Sequence, residues 1–165
     1  MLGNGKQGAT VFGGTKSDKI FLNDLTLWSG EPVDPYMNKE AYKYLPAVRE
    51  ALQKENYKAA DSLVRKIQGK FSESYAPLGT LYIDFNHENP TEYRRELSLD
   101  KAVSTVHYRA GTNEIQKEYF FSHPDNVFVI HLTSKEKKGL NFTVQFKSLL
   151  KYATKSTVNH LHTKG

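Results

Sequence analysis

Short segments of alternating polar and apolar residues fill the chain from residue 79 onward, and this alternation constrains the fold more than any other feature. Polar turns of a few residues separate the segments. The alternating segments are residues 81–85, 93–99, 102–108, 114–122 and 140–146. Because the side chains of a strand point alternately to its two faces, the pattern predicts strands with one buried and one solvated face. The short connections favour antiparallel pairing.

One pair of these segments predicts a hairpin. Residues 102–108 and 114–122 flank the sequence AGTN at 110–113, and glycine and asparagine tolerate the positive φ of a tight turn. In the segment 140–146, the alternate residues are expected to point inward and to form a second face of a sandwich. These residues are Leu140, Phe142, Val144 and Phe146.

A sixth segment, residues 127–132 (VFVIHL), is continuously apolar until its end and rich in β-branched residues. Such a run is typical of a strand that is buried on both faces. We therefore expect a central strand here, lying between two layers.

The first half of the chain holds a second predicted hairpin and a helical insertion. Residues 9–12 and 19–22 read as two short strands joined by a turn at 13–18. Between about 38 and 69, apolar residues recur at helical spacing, which predicts helices at 46–54 and 57–68. Pro46 suits a first helical turn, Asn56 is a candidate N-cap, and Gly69 is expected to stop the second helix.

These segments together predict a mainly β fold, an antiparallel β-sandwich with a short helical insertion at about 38–69. The 165 residues fit one domain and show no internal repeat or linker. No apolar run approaches the ~20 residues that span a bilayer, and the chain as written carries no signal peptide. We expect no membrane partner.

Composition excludes several classes of chemistry. The absence of cysteine removes thiol catalysis, zinc–thiolate sites and disulfides. The net charge of +5 comes from 23 basic residues interleaved with 18 acidic ones, which is typical of a solvated surface rather than of a nucleic-acid interface. The segment 147–164 is the exception, because it holds four lysines, two histidines and no acid; we read it as a polar tail.

No motif predicts a cofactor or metal site. Residues 3–8 match GxGxxG, but no strand precedes them and no helix follows, as a dinucleotide site requires. His160 and His162 have the spacing of one strand face, yet two histidines are not a metal site. No pair of carboxylates stands out as a glycosidase acid and base, and most are expected to be surface charges. The carboxylates considered are Glu31, Asp34, Asp84, Glu96, Asp100 and Glu118.

The loop from Asp24 to Trp28 is unusual because it bears the only tryptophan of the chain, followed by Ser29-Gly30-Glu31-Pro32. An indole with polar neighbours can form a platform that stacks on a sugar ring. A buried, structural tryptophan is the alternative, and the residues alone favour it slightly.

An ordered series of motifs resembles the start of the family 95 glycoside hydrolases, the α-L-fucosidase type, over roughly residues 2–148. The motifs are LGNGKQGA at 2–9, VFGG at 11–14, IFLNDLTLWSG at 20–30, LPAVR at 45–49, YKAA at 57–60, YAPLGTL at 75–81, YRRELSLD at 93–100 with AV at 102–103, and EYFFSHPD at 118–125. Order and spacing both agree with the family. Asp24, Leu25, Ala76 and Thr80 depart mildly from it, and the segment after Leu149 matches no family motif.

The resemblance implies a supersandwich-like β-sandwich ahead of a catalytic (α/α)6 barrel in the same parent chain. It also implies inverting hydrolysis of α-L-fucosides, commonly 1,2-linked, and export to the periplasm or the extracellular space. The family's catalytic residues lie in the barrel, so we expect none in this chain, and the sandwich itself is expected to be partial. Asn23 and Trp28 are the candidates for contact with a fucosylated substrate at the rim of the pocket.

Two alternatives remain open from the sequence. A stand-alone carbohydrate-binding module would also be aromatic-rich and built as a sandwich. A purely structural or protein-interaction sandwich would expose apolar sheet edges and self-associate.

Overall fold

A computed structural model describes residues 1–29, 34–69, 73–87, 89–137 and 139–165. The chain folds into two compact units. The sandwich unit comprises Met1–Leu27 and Ala76–Gly165, and the helical unit comprises Trp28–Tyr75. No helix among the described residues has the length and apolar character needed to cross a membrane.

Of the thirteen strands that the described residues form, eleven belong to the sandwich unit and two, β4 and β5, belong to the helical unit. The strands are β1 (Leu2–Gly3), β2 (Gln7–Val11), β3 (Ser17–Asp24), β4 (Trp28–Ser29), β5 (Ser74–Tyr75), β6 (Gly79–Phe85), β7 (Thr91–Ser98), β8 (Val103–Ala110), β9 (Asn113–Ser122), β10 (Val127–Ser134), β11 (Phe142–Lys147), β12 (Ala153–Ser156) and β13 (Leu161–Lys164).

Two antiparallel sheets form the sandwich. The first has five strands in the order β1-β2-β3-β6-β11, and the second has four in the order β10-β9-β8-β7. Both predicted hairpins are confirmed, because β2 pairs with β3 and β8 pairs with β9 in antiparallel register. In the β8–β9 turn, Gly111 has φ 63°, the positive value that the turn requires.

Alternate residues of the two sheets meet in one core. Ile20, Ile83 and Phe85 come from the five-stranded sheet, whereas Val106, Ile115 and other residues come from the four-stranded sheet. Partly buried residues of β10, among them Phe128, Ile130 and Leu132, pack against this core. The predicted β-sandwich is confirmed.

The prediction of a central strand at 127–132 is wrong. β10 is an edge strand of the four-stranded sheet and, in the described chain, pairs with β9 alone. Val127 at its start is 44% exposed. A continuous apolar run indicates that both faces of a strand tend to be buried, but it does not say how many strands pair with it.

The inward orientation predicted for alternate residues of the segment 140–146 is confirmed by the register of β11 with β6. These residues are less buried than the prediction implies. Phe142 and Val144 pair across β6 with the buried residues Phe85 and Ile83, so they share the inner face. Phe142 is nevertheless 41% exposed and Val144 is 39% exposed. The strand alternates as expected, but the opposite sheet does not bury this end of the inner face.

The helical unit contains a 3-10 helix, Ala41–Tyr44, and two α-helices, α1 (Leu45–Gln53) and α2 (Tyr57–Val64). Asn56 caps α2 as predicted, because its side-chain oxygen accepts a hydrogen bond from the Ala59 amide at 3.2 Å. α2 ends at Val64, four residues before the predicted end. There the Ile67 amide donates to the Val64 carbonyl, an i to i−3 bond that tightens the last turn into 3-10 form.

A buried polar cluster joins the two sheets. Asp18 on β3 is fully buried, and one of its carboxylate oxygens accepts hydrogen bonds from the Lys117 ammonium at 3.0 Å and from the Tyr119 hydroxyl, both on β9. Its other oxygen accepts from the Gly13 amide at 2.9 Å, and Lys117 also donates to the Gly14 carbonyl at 2.6 Å. We call Asp18, Lys117 and Tyr119 the inter-sheet cluster.

The cluster is stable only because each charge has partners. A buried ion pair loses its hydration, and the loss is offset when hydrogen bonds and opposite charge replace the lost water. Lys117 also lies over the ring of Phe85, with 4.8 Å between the ammonium and the ring centroid. Even so, burial holds the pKa of Lys117 below its usual value of 10.5, against the opposing pull of Asp18.

Replacing Asp18 by asparagine is expected to lower the free energy of unfolding by about 3–5 kcal/mol, because the charge of Lys117 loses its buried counterion. Urea denaturation measures the change. Asp84→Asn is the matched control: Asp84 accepts a hydrogen bond from the Ser17 hydroxyl at an exposed site, so its loss should stay below about 1 kcal/mol. Equal losses in the two variants would contradict a stabilising cluster.

Stability is expected to fall at alkaline pH. Burial raises the pKa of both Tyr108 and Tyr119 above the usual 10.0, so the folded chain keeps protons that the unfolded chain releases. Such stability is complete below the unfolded pKa and is lost as pH rises above it. The lowered pKa of Lys117 acts oppositely, but only below its usual value of 10.5. Above that pH, each tyrosine should cost about 1.4 kcal/mol per pH unit.

Denaturation of the wild type and of Tyr119→Phe at about pH 10 to pH 12, the range in which the tyrosines of an unfolded chain ionise, tests this loss of stability. The variant should lose stability with about half the slope of the wild type. An unchanged slope would show that Tyr119 does not hold its proton through burial.

Candidate functional site

The last turn before the helical unit is ordered by Asp24. Its carboxylate accepts hydrogen bonds from the Thr26 amide at 2.9 Å and the Thr26 hydroxyl at 2.6 Å, and these bonds hold the pKa of Asp24 below its usual value. The Leu25 amide donates to the Lys6 carbonyl at 2.8 Å. Aspartate therefore fixes the direction in which the chain leaves β3.

Asn23, the first sequence candidate, lies on β3 opposite Gly8 and is half-buried. Its carboxamide forms no hydrogen bond with any described residue. It lines a pocket of about 240 Å³ with Gln7, Asn126 and Phe128. It also lines a groove of about 610 Å³ with Phe21 and others. A carboxamide in this position can donate to one hydroxyl of a ligand and accept from another.

Trp28, the second candidate, lies in the helical unit on β4, which pairs with β5. The indole is 51% exposed and meets the ring of Tyr75 edge to face, with 5.7 Å between the centroids. The slight preference for a buried tryptophan is therefore wrong. The ring lies on a two-stranded ladder instead of inside a core, which leaves half of its surface to solvent. Of its predicted neighbours, Gly30, Glu31 and Pro32 lie outside the described residues.

The two candidates thus belong to different units of the chain: Asn23 to the sandwich unit and Trp28 to the helical unit. Each presents a different chemistry, a carboxamide in one case and an aromatic ring in the other. Hydrogen bonding by amides and stacking on aromatic rings are both contacts that proteins can make with sugars.

The carboxylates considered from the sequence bond to neighbours at the surface. Glu96 pairs with Arg94 at 2.7 Å, and Glu118 accepts from His131 at 3.0 Å. Asp34 accepts from the Tyr36 amide at 2.9 Å, and Asp100 accepts from the Ser98 hydroxyl. Asp84 bonds Ser17, and Glu31 lies outside the described residues. The absence of a catalytic acid and base remains a prediction.

No three histidine or acidic side chains approach closely enough to hold a metal ion in the parts of the chain that the structure describes. His160 and His162 lie 5.6 Å apart, centroid to centroid, at the exposed β12–β13 hairpin. The segment 147–164 therefore contains a hairpin in addition to polar residues.

Sequence analysis missed two features of the sandwich unit. One is the inter-sheet cluster, for which Lys117 at an inward position of the alternating segment 114–122 was an available signal. The other is an apolar groove of about 570 Å³ beside β11, whose lining includes Leu27, Leu81, Val144, Phe146, Tyr152 and Leu161. It arises where β11 and the β12–β13 hairpin meet, so no single segment predicts it.

Comparison with known proteins gives matches along the whole chain. The sequence model of the family described as "Glycosyl hydrolase family 65, N-terminal domain" matches residues 1–165, including the segment after Leu149 that no motif explained. The chain is 37% identical to "Alpha-L-fucosidase 2" of Arabidopsis thaliana over 90% of its own length and 18% of that protein. It is 33% identical to "Probable alpha-fucosidase A" of Aspergillus niger over 81% of its length and 17% of that protein.

A second "Probable alpha-fucosidase A", from Aspergillus oryzae, is 26% identical over 81% of the chain and 19% of that protein. The chain thus spans less than a fifth of the length of these curated relatives. The fucosidase names of the relatives are consistent with the family 95 resemblance seen in the motifs. By the match to its full length, the chain belongs to the family of glycoside hydrolase N-terminal domains.

Proposed function

We propose that this chain is a non-catalytic part of an α-L-fucosidase, in which it supports a catalytic (α/α)6 barrel located elsewhere in the same polypeptide. The match of all 165 residues to an N-terminal domain, together with relatives of which the chain spans less than a fifth, carries the proposal. The parent protein hydrolyses α-L-fucosides, commonly 1,2-linked, with inversion, and is exported to the periplasm or the extracellular space.

The carboxylates of the chain support a non-catalytic role. An inverting glycosidase needs an acid and a base about 6.5–9.5 Å apart on opposite sides of the scissile bond. Glu96, Glu118 and Asp84 instead form local pairs on exposed strand faces. The acid and base of the parent protein therefore belong to the barrel.

Exposed residues on the inner face support a partial sandwich. Phe142 and Val144 point inward but remain exposed, and the 570 Å³ apolar groove lies beside them. A sandwich in isolation would leave this surface in water at a cost of about 25 cal/mol for each Å². Further strands of the parent protein would cover it.

At the rim of the substrate pocket, Trp28 and Asn23 are the proposed contacts. The half-exposed indole offers an apolar face to a pyranose ring, and the carboxamide of Asn23 can bond two hydroxyls. Both would hold the substrate at a distance from the cleaved bond, and so both would act on substrate binding more than on the chemical step.

In the full-length enzyme, Trp28→Ala is expected to raise KM several-fold and to leave kcat nearly unchanged, since a ring contact is worth about 1 kcal/mol. Steady-state hydrolysis of a fucosylated oligosaccharide measures both constants. Tyr57→Ala, a change of another exposed aromatic residue of the helical unit, is the control and should alter neither. Unchanged kinetics with a lowered Tm would give Trp28 a packing role instead.

A stand-alone carbohydrate-binding module is the second candidate, and the half-exposed Trp28 favours it. Calorimetric titration of the isolated chain with fucosylated oligosaccharides distinguishes the two candidate functions. We expect no heat of binding up to a ligand concentration of about 1 mM, so the free energy of binding would be about −4 kcal/mol or weaker. Saturable binding without any barrel would favour the module.

A further inference from the structure

The outer face of the five-stranded sheet bears aromatic and lysine side chains. Phe12 is 45% exposed and Phe21 is 39% exposed, and Tyr82 lies beside Lys19 in the β3–β6 register. Lys147 lies on the neighbouring strand, β11. We call Phe12, Phe21, Tyr82, Lys19 and Lys147 the lysine–aromatic face.

The members of this face contact one another in a fixed arrangement. The rings of Phe12 and Phe21 meet edge to face at 5.2 Å, and the ammonium of Lys19 lies 5.5 Å from the first centroid and 4.5 Å from the second. The ammonium of Lys147 lies 5.5 Å from the centroid of Tyr82. The negative face of an aromatic ring attracts each ammonium electrostatically and holds it in place. The face therefore presents a positive charge above an apolar layer.

The outer face of the four-stranded sheet is different. Apart from Val103, Phe120, Val127 and Val129, its alternate residues are polar or charged, as expected where a sheet faces water. These residues include Thr105, His107, Gln116, Glu118 and His131. The outer face of the five-stranded sheet thus exposes aromatic rings beside lysines, whereas the outer face of the four-stranded sheet presents mainly polar side chains. Exposed aromatic patches of this kind mark sites of protein contact.

The apolar surface continues past the strands. The 610 Å³ groove runs from Phe21 and Tyr82 to Pro77 and Leu149, and Leu149 is 91% exposed. On β3, β6 and β11, the carboxylate on this side is Asp84, which accepts a hydrogen bond from Ser17. Lys19 and Lys147 therefore leave the face with a net positive charge, which complements a surface that carries carboxylates.

We propose that the lysine–aromatic face is the surface on which the catalytic domain of the parent protein docks, through an apolar patch edged by acidic residues. The inference rests on the proposed function, because the curated relatives contain more than four-fifths of their length beyond the matched region. Charge complementarity sets the orientation, and burial of the aromatic rings supplies most of the affinity.

Calorimetry of the full-length parent protein tests the proposal. The wild type should unfold in one coupled transition. In the double variant Phe12→Ser, Phe21→Ser, a separate transition should appear at the temperature at which the isolated 165-residue chain unfolds. The double variant Lys19→Glu, Lys147→Glu should also split the transition. The splitting should be larger at low than at high salt, because salt screens the repulsion between the new glutamates and the acidic residues of the catalytic domain. Phe120→Ser, on the outer face of the four-stranded sheet, is the matched control and should leave one transition.

The isolated chain gives the second measurement. Its Tm should change only slightly with the Phe12 and Phe21 changes, because in the isolated chain both rings lie at the surface and contact mainly each other and Lys19. A single transition in the parent protein with both changes, as in the Phe120 control, would overturn the proposal. Binding of an oligosaccharide to the isolated chain that these changes abolish would also overturn it. If the wild-type parent lacks fucosidase activity but the transitions still split, the proposed function fails and the docking face stands.

Discussion

The ion pair between Asp18 and Lys117 is the interaction on which the sandwich depends. It is the point at which β3 of one sheet and β9 of the other are joined by buried charges, 99 residues apart in sequence. Asp18 also holds the Gly13 amide, and Lys117 holds the Gly14 carbonyl, so the same charges fix the β2–β3 turn. A buried pair adds little net stability but is costly to break. It therefore enforces one relative position of the sheets, which places the end of β3, and with it Asn23.

Much of the fold follows from local pattern. Period-two alternation located the strands of residues 79–146 other than β10, and glycine and asparagine located the β8–β9 turn, because both signals act within a few residues. The same reasoning found both helices and the Asn56 cap. It failed for β10, an edge strand with no fully buried residue, because an apolar run does not show how many strands will pair with it or whether a second layer will cover its outer face. It failed also for Lys117, since nothing local shows that a lysine will meet an aspartate on the other sheet.

The residues of the candidate site could be predicted from the sequence, but the surroundings of their side chains could not. The motif around Trp28 singled out the residue, but exposure of the ring is a property of its position on the β4–β5 ladder. The surfaces follow a common logic. The outer face of the four-stranded sheet is mainly polar, whereas the β11 end of the inner face and the lysine–aromatic face leave several large apolar side chains in water. A sandwich that leaves two such apolar surfaces in water is suited to be a part of a larger protein.

The mass of the polypeptide in its native source tests the central claim most directly. An antibody raised against this chain, used on a denaturing gel of the native source, would report that mass. The account predicts a band several times larger than the 18.8 kDa of the chain, which would place the hydrolytic residues in the same polypeptide. A single band at 18.8 kDa would contradict the account and identify a free-standing binding or structural protein.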